Sequence, residues 1–253
     1  MQLLFEPTVL VGFCLVLARA SAWVAICPPF NSPAIPVRVR AGVAVSMSFV
    51  LARRVGEQIT SVTTASLVGS LFTQLIAGFA LGLFVFLIFS AIQSAGELID
   101  LQVGFSLGGV IDPLSGNMST PVGRLHQLLG MAVLFAINGH VLVARAFVKS
   151  VDAAPLGHLN GSTLTNSLVQ LFAVLLRASL EIALPILTAL FCAEVALGFL
   201  GKAAPQLNIL VIGFAVKTML AFALLGATLM LLPETVESLF GKALRAALGA
   251  FKG

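Results

Sequence analysis

Long apolar runs separated by short stretches rich in proline, glycine or charge dominate this chain. The pattern predicts an all-α integral membrane protein with about six hydrophobic helical segments. The first run covers residues 9–26 and is interrupted by Arg19. PPFNSPAIPVRVR follows as a proline-rich turn that no continuous helix can absorb. The run at 41–52 ends at Arg53 and Arg54 and is short for a ~30 Å hydrocarbon layer at about 1.5 Å per residue. Residues 67–92 have full spanning length, and Gly78 and Gly82 within them offer a face for a close helix partner. Residues 125–148 predict another helix. The run at 168–200 exceeds one perpendicular crossing and contains Pro185, so it reads either as one kinked, tilted helix or as two half-spans. The last run, 207–232, stops at Pro233, and a short amphipathic tail, 234–253, carries Lys242, Arg245 and Lys252.

One stretch breaks the pattern. Residues 104–121, GFSLGGVIDPLSGNMSTP, are rich in glycine, proline and serine between two apolar runs. Broken backbone at membrane depth is tolerated only where protein or a water-lined cavity satisfies its polar groups. Gly104, Gly108, Gly109 and Gly116 lower the cost of non-helical geometry. Asp112 precedes Pro113, which steers it away from helix. The residues by themselves allow two readings, an exposed connection or an element that closes a pore.

Composition narrows the class. Of 253 residues 59% are hydrophobic and only 9% charged, against roughly 25% charged in soluble domains. With 19 Phe, one Trp and no Tyr, an aromatic belt is missing. The three cysteines, Cys14, Cys27 and Cys192, lack metal-ligand spacing and read as buried small hydrophobes. A net charge of +4 spread along the chain gives no nucleic-acid surface. QLLFEP, ahead of the first run, has an acid and no basic n-region, so that run is expected to be a retained helix.

Several polar groups lie inside apolar runs. Arg177 and Glu181 are four apart and share a helix face. Pairing offsets an insertion cost of roughly 2.5–3.5 kcal/mol per central charge. A satisfied ion pair facing another subunit is favoured over a proton relay, because no second helix has a matching density of carboxylates. Arg19, Glu194 and Lys217 each need a partner of their own, which argues for extensive protein contact within the membrane. Asn138, Gly139 and His140 fall inside the predicted 125–148 helix, where Asn138 and His140 can hydrogen-bond across an interface. His140 has no companions for a metal. No Gly-x-Ser-x-Gly elbow, HExxH helix or phosphate-cradling loop occurs. The chain is therefore expected to be no enzyme and to need no cofactor or metal.

Longer motifs are more specific. AICPPFNSPAIPVRVRAGVAV, AGELIDLQVGFSLGGVIDPLSGNMSTPVGRL, LLGMAVLFAINGHVLVARAFVKSVDAAPLG and ALPILTALFCAEVALGFLGKAAPQLNILVIGFAVKTML occur in collinear order over most of the chain. In them the chain resembles the FliR family of flagellar type III export-gate proteins, which is related to virulence-secretion components. The resemblance implies a single FliR-like domain over 1–253, built from broken helical hairpins whose helices need not all be simple spans. It implies a non-enzymatic subunit assembled with FliP-like and FliQ-like subunits, with an FlhB-like subunit nearby. The setting would be the bacterial inner membrane, within the flagellar basal body, with unfolded polypeptides as transient substrates. Residues 104–121 would be the plug-like loop that keeps the channel closed. Gly104, Asp112, Pro113 and Pro121 match its pattern, and Phe105, Gly108, Gly109, Gly116, Asn117 and Met118 lie within it. Asn138, Gly139 and His140 match the following helix, and Pro205, Gln206 and Leu207 the turn into the last hairpin. Ala215 stands where the family usually has proline, which straightens the last helix locally. Glu194 stands where a neutral or polar residue is usual. Two other functions compete: a small-solute secondary transporter, motivated by Pro185 and the charges at membrane depth, and a purely structural membrane scaffold.

Overall fold

In a computed structural model, residues 7–28, 30–32, 35–59, 64–105, 120–154, 161–230 and 232–250 are described. The apolar runs become helices: α1 (Pro7–Ile26), α2 (Val37–Gly56), α3 (Thr64–Val103), α4 (Pro121–Ala136), α5 (Gly139–Ala153), α6 (Gly161–Ala203), α7 (Ile209–Leu229) and α8 (Leu232–Ala250). No strand occurs among the described residues, so the fold is all-α. Among the described residues four helices, α1, α3, α6 and α7, are long and apolar enough to cross a membrane, and the broken pair α4 and α5 makes a fifth candidate. α2 does not join them, because its four arginines sit at its two ends.

Length separates two helices from the rest. α3 has 40 residues and α6 has 43, or about 60 Å or more at 1.5 Å per residue, roughly twice a ~30 Å hydrocarbon layer. α6 continues through Pro185 as one helix, which removes the discontinuity that motivated the transporter reading. Their surroundings differ. The most apolar window of α3 is 61% buried, whereas those of α6 and α7 are only 17% buried. A helix apolar on every side and packed on most of them belongs in a core. The outward apolar surface of α6 and α7 is left for lipid or other chains.

The chain divides into two packed units. One comprises Met1–Ile88, Asn138–Ala173 and Leu239–Gly253; the other comprises Phe89–Ile137 and Val174–Ser238. In the first, α1 and α2 run antiparallel at close approach. A Cβ at Gly12 would overlap the Ala52 carbonyl, and one at Gly56 would lie 2.8 Å from the Thr8 carbonyl. Gly78 of α3 presses on the Arg19 backbone, and Gly82 on that of Trp23, so the small-residue face of α3 is occupied by α1. The Trp23 ring packs against Phe147 and Phe30, with centroids 4.8 and 5.3 Å away.

Arg19 is fully buried in this unit. Its Nε donates to Gln74 Oε1 at 2.6 Å, Nη1 to the Ser150 carbonyl at 2.6 Å, and Nη2 to the Ala154 carbonyl. Both carbonyls belong to the C-terminal end of α5, where the macrodipole is negative; that of Ser150 also accepts from the Ala154 N–H at 3.1 Å, and that of Ala154 stands beyond the last helical turn. The guanidinium thus acts as the cap of α5. α8 buries Leu239, Phe240, Ala243 and Ala247 here while Lys242 and Arg245 stay exposed, so this helix is amphipathic. Lys252 lies outside the described residues.

Two expectations are corrected. The single helix predicted over 125–148 ends at Ala136 and resumes at Gly139. Asn138 adopts a left-handed conformation, φ 56°, and is exposed, so it lies in a break and not at mid-helix. Asparagine before glycine favours that geometry, and it stops a helix. Cysteine burial holds only for Cys27, whose thiol pKa burial pushes up; Cys14 and Cys192 are exposed on outward apolar faces.

Arg19→Met keeps the aliphatic stem but removes every donor. The variant should lose about 3 kcal/mol of stability, read as a lower unfolding midpoint of the purified chain in detergent. An unchanged midpoint would refute the capping role.

Candidate functional site

The second unit holds both roots of the 104–121 segment. Gly104 and Phe105 follow α3, and Pro121 opens α4. Gly108, Gly109, Asp112, Pro113, Gly116, Asn117 and Met118 lie outside the described residues. At the first root, Gly104 has φ 104°, open to glycine alone without strain. The N–H groups of Gly104 and Phe105 both donate to the Asp100 carbonyl at 3.0 Å. This is a glycine-terminated helix end, with one carbonyl of the last turn satisfied twice.

The second root is held by the same residue. Asp100 Oδ1 accepts from the Val122 N–H at 3.1 Å, and Oδ2 from the Gly123 N–H at 2.9 Å. Those are free donors of the first turn of α4, and the positive end of its dipole faces the carboxylate. Pro121 occupies the first turn, where its missing N–H costs nothing. Thr120, the local N-cap position, makes no side-chain cap. Asp100 is fully buried, so the N–H donors offset a desolvation cost that a bare carboxylate could not carry. His126, also buried, donates from Nδ1 to the Val122 carbonyl at 3.0 Å and secures the same turn.

Close backbone contact lets the clamp form. A Cβ on Gly96 would lie 2.6 Å from Gly123 Cα and 2.7 Å from the Val122 carbonyl. Behind it lies an apolar core of Ile99, Val103, Val122, Ile186, Leu190 and Leu225. Phe105 packs edge-on to Phe214, with centroids 5.8 Å apart, and also meets Phe222 at 6.4 Å.

The remaining polar residues divide into two groups. Glu194 and Lys217 come together: Lys217 Nζ lies 3.2 Å from Glu194 Oε1, and Gln102 Nε2 donates to Glu194 Oε2 at 2.8 Å. This supplies the partner that Glu194 needed. Arg177 and Glu181 pair along α6 at 2.7 Å but stand exposed. They lie beside the outward row Leu176, Leu180 and Leu184, each more than half exposed. Asn138 and His140 belong to the first unit, in and after the helix break. Pro205, Gln206 and Leu207 form the turn between α6 and α7, and α7 runs unbroken through Ala215.

Sequence reasoning missed Asp100, Gly96, Gly123 and Gln102. Asp100 carried one available signal, an acid near the end of an apolar run with no base four residues on. Its receptor, the first turn of α4, lies more than 20 residues away, beyond any helical periodicity.

The sequence profile of bacterial export proteins, family 1, matches residues 10–243. The flagellar biosynthetic protein FliR of Pectobacterium carotovorum subsp. carotovorum is 32% identical over 232 residues, 88% of this chain and 86% of its own length. FliR of Escherichia coli strain K12 is 30% identical over 229 residues, 89% of this chain and 87% of its own. Yop proteins translocation protein T of Yersinia pestis is 24% identical over 224 residues, 85% of each chain.

Asp100→Ala, which leaves two buried N–H groups without an acceptor, should cost about 2–3 kcal/mol, while Asp100→Asn keeps one acceptor and loses less. Gly96→Ala meets backbone and should destabilise by about 1–3 kcal/mol; Gly123→Ala meets chiefly the movable Glu97 and Thr120 side chains and should cost less. Unfolding midpoints check both rankings, and reversal of either order would refute the clamp geometry.

Proposed function

The chain belongs to family 1 of the bacterial export proteins, and from that membership we propose that it is a non-enzymatic subunit of a type III protein-export gate. Its place is the bacterial inner membrane, within the flagellar basal body. It assembles with FliP-like and FliQ-like subunits and meets an FlhB-like subunit, and unfolded polypeptides pass through the assembly. Residues 104–121 act as its closure. Gly104, Phe105 and Pro121 are the roots, and Gly108, Gly109, Asp112, Pro113, Gly116, Asn117 and Met118 supply the blocking segment.

One observation carries this reading. Asp100 holds both ends of the segment, the first through its backbone carbonyl and the second through its buried carboxylate, so the segment leaves and returns to one base. A closure needs such a base, because a blocking element must return to one position after each displacement. The outward apolar faces of α6 and α7 support assembly with other chains. So does the exposed Arg177–Glu181 pair, since an ion pair turned to hydrocarbon would be costly.

Deleting residues 108–119 while keeping both roots should leave the assembled complex able to leak small ions across a lipid bilayer. Conductance of the purified complex checks this, and wild-type conductance in a fully assembled deletion variant would overturn the closure role. Arg177→Ala leaves Glu181 without its partner at the proposed subunit contact and should lower complex yield more than Arg245→Ala. Equal yields on co-expression with the partner subunits would reject that contact.

A further inference from the structure

Where α3 ends, three helices meet in a polar cluster that the clamp does not use. Gln102, in the last turn of α3, donates from Nε2 to Glu194 Oε2 of α6 at 2.8 Å. Lys217 of α7 donates from Nζ to Glu194 Oε1 at 3.2 Å and to the backbone carbonyl of Gln102 at 3.3 Å. Each member therefore touches the other two. The Gln102 carbonyl is among the last four of α3, which lack intrahelical donors, and the ammonium sits at the negative end of that helix. Phe105, three residues on, packs on Phe214 and Phe222, which flank Lys217 along α7.

Beside the cluster lies a recess of about 540 Å³, with Leu101, Gln102, Gly104, Glu194, Leu210 and Lys217 in its wall. Gly198, also in the wall, has no atom beyond its own stretch of helix within 4 Å of where a Cβ would stand. The end of α3 thus has open space next to it. Burial separates this cluster from the clamp. Asp100 is fully enclosed, whereas the Glu194 side chain is 52% exposed and that of Lys217 17%. With the Glu194 side of the pair open and Asp100 wholly enclosed, this contact opens more readily than the clamp.

We propose that Gln102, Glu194 and Lys217 form a releasable latch, positioning residues that hold the exit of α3 against α6 and α7 in the resting state. The latch rests on the closure reading for its consequence alone: release lets Gln102–Phe105 shift into the recess and moves the base of the closure. The bonds from Val122 and Gly123 to the Asp100 carboxylate stay made throughout and keep α4 on α3, while those from Gly104 and Phe105 to the Asp100 carbonyl open. The relevant partners are internal, so opening needs a competing charge or a force on the segment, both of which a passing polypeptide supplies.

The test uses the complete chain assembled with its partner subunits, with Cys14 and Cys192 replaced by Ser. Spin labels at Leu101→Cys and Leu210→Cys report the distance across the recess, and bilayer conductance is recorded on the same preparations. Lys217→Met should raise the longer-distance population about fivefold, the factor equivalent to ~1 kcal/mol. Lys217→Arg, which retains donors to both acceptors, should keep the wild-type distribution. A distribution in Lys217→Met equal to that of the wild type would overturn the latch. A shifted distribution with raised conductance supports latch and closure together. A shifted distribution with wild-type conductance supports the latch and overturns the closure reading.

Discussion

Everything at the candidate site depends on one buried carboxylic residue used twice. The Asp100 carbonyl closes the C-terminus of α3 by accepting from Gly104 and Phe105, and its side chain caps the N-terminus of α4 through Val122 and Gly123. Helix ends carry unpaired donors and acceptors, and burying them unpaired costs more than any single apolar contact returns. By answering both ends from one position, the chain can interrupt a long helix inside an apolar unit and resume beside it. Gly96 and Gly123 make this geometrically feasible, because side chains there would hold the two backbones apart.

The same solution appears in the first unit with the opposite sign. Arg19, fully buried, sets its guanidinium at the carbonyl end of α5, as Asp100 sets its carboxylate at the amide end of α4. In each unit a helix terminus supplies partial charge opposite to the buried group, and hydrogen bonds to that terminus offset its desolvation. Pairs of full charges lie on the outside of the chain: Arg177 with Glu181, Arg53 with Glu57 and Arg54 with Asp152 are all exposed. The interior is therefore held by helix-end capping, and the ion pairs are placed where contacts can be made and broken.

Much of the architecture was legible because hydrocarbon-length apolar runs and proline or glycine boundaries are local signals. The first run, the long run through Pro185 and the last run each became a helix close to its predicted place. α2 extended beyond its apolar run because helix formation tolerates Arg38, Arg40, Arg53 and Arg54 when the arginines remain near the ends. The break at Asn138 was also written locally, as Asn before Gly, but hydropathy alone outweighed it in the prediction of one long helix. Candidate-site residues were less legible: unpaired-looking charges such as Glu194 announced a need for partners without identifying them.

The amino-acid sequence by itself determined the class, the helical segments, the position of the irregular stretch and, through collinear motifs, the family. Those properties depend on composition and on neighbours within a few residues. Only the tertiary structure decided that Asp100 holds both roots of that stretch, that α1 fills the Gly78 face, and that Lys217 and Gln102 answer Glu194. Such pairings join residues on different helices, and their burial, full at Asp100 and partial at Glu194, is set by the packing of distant segments that no local pattern records.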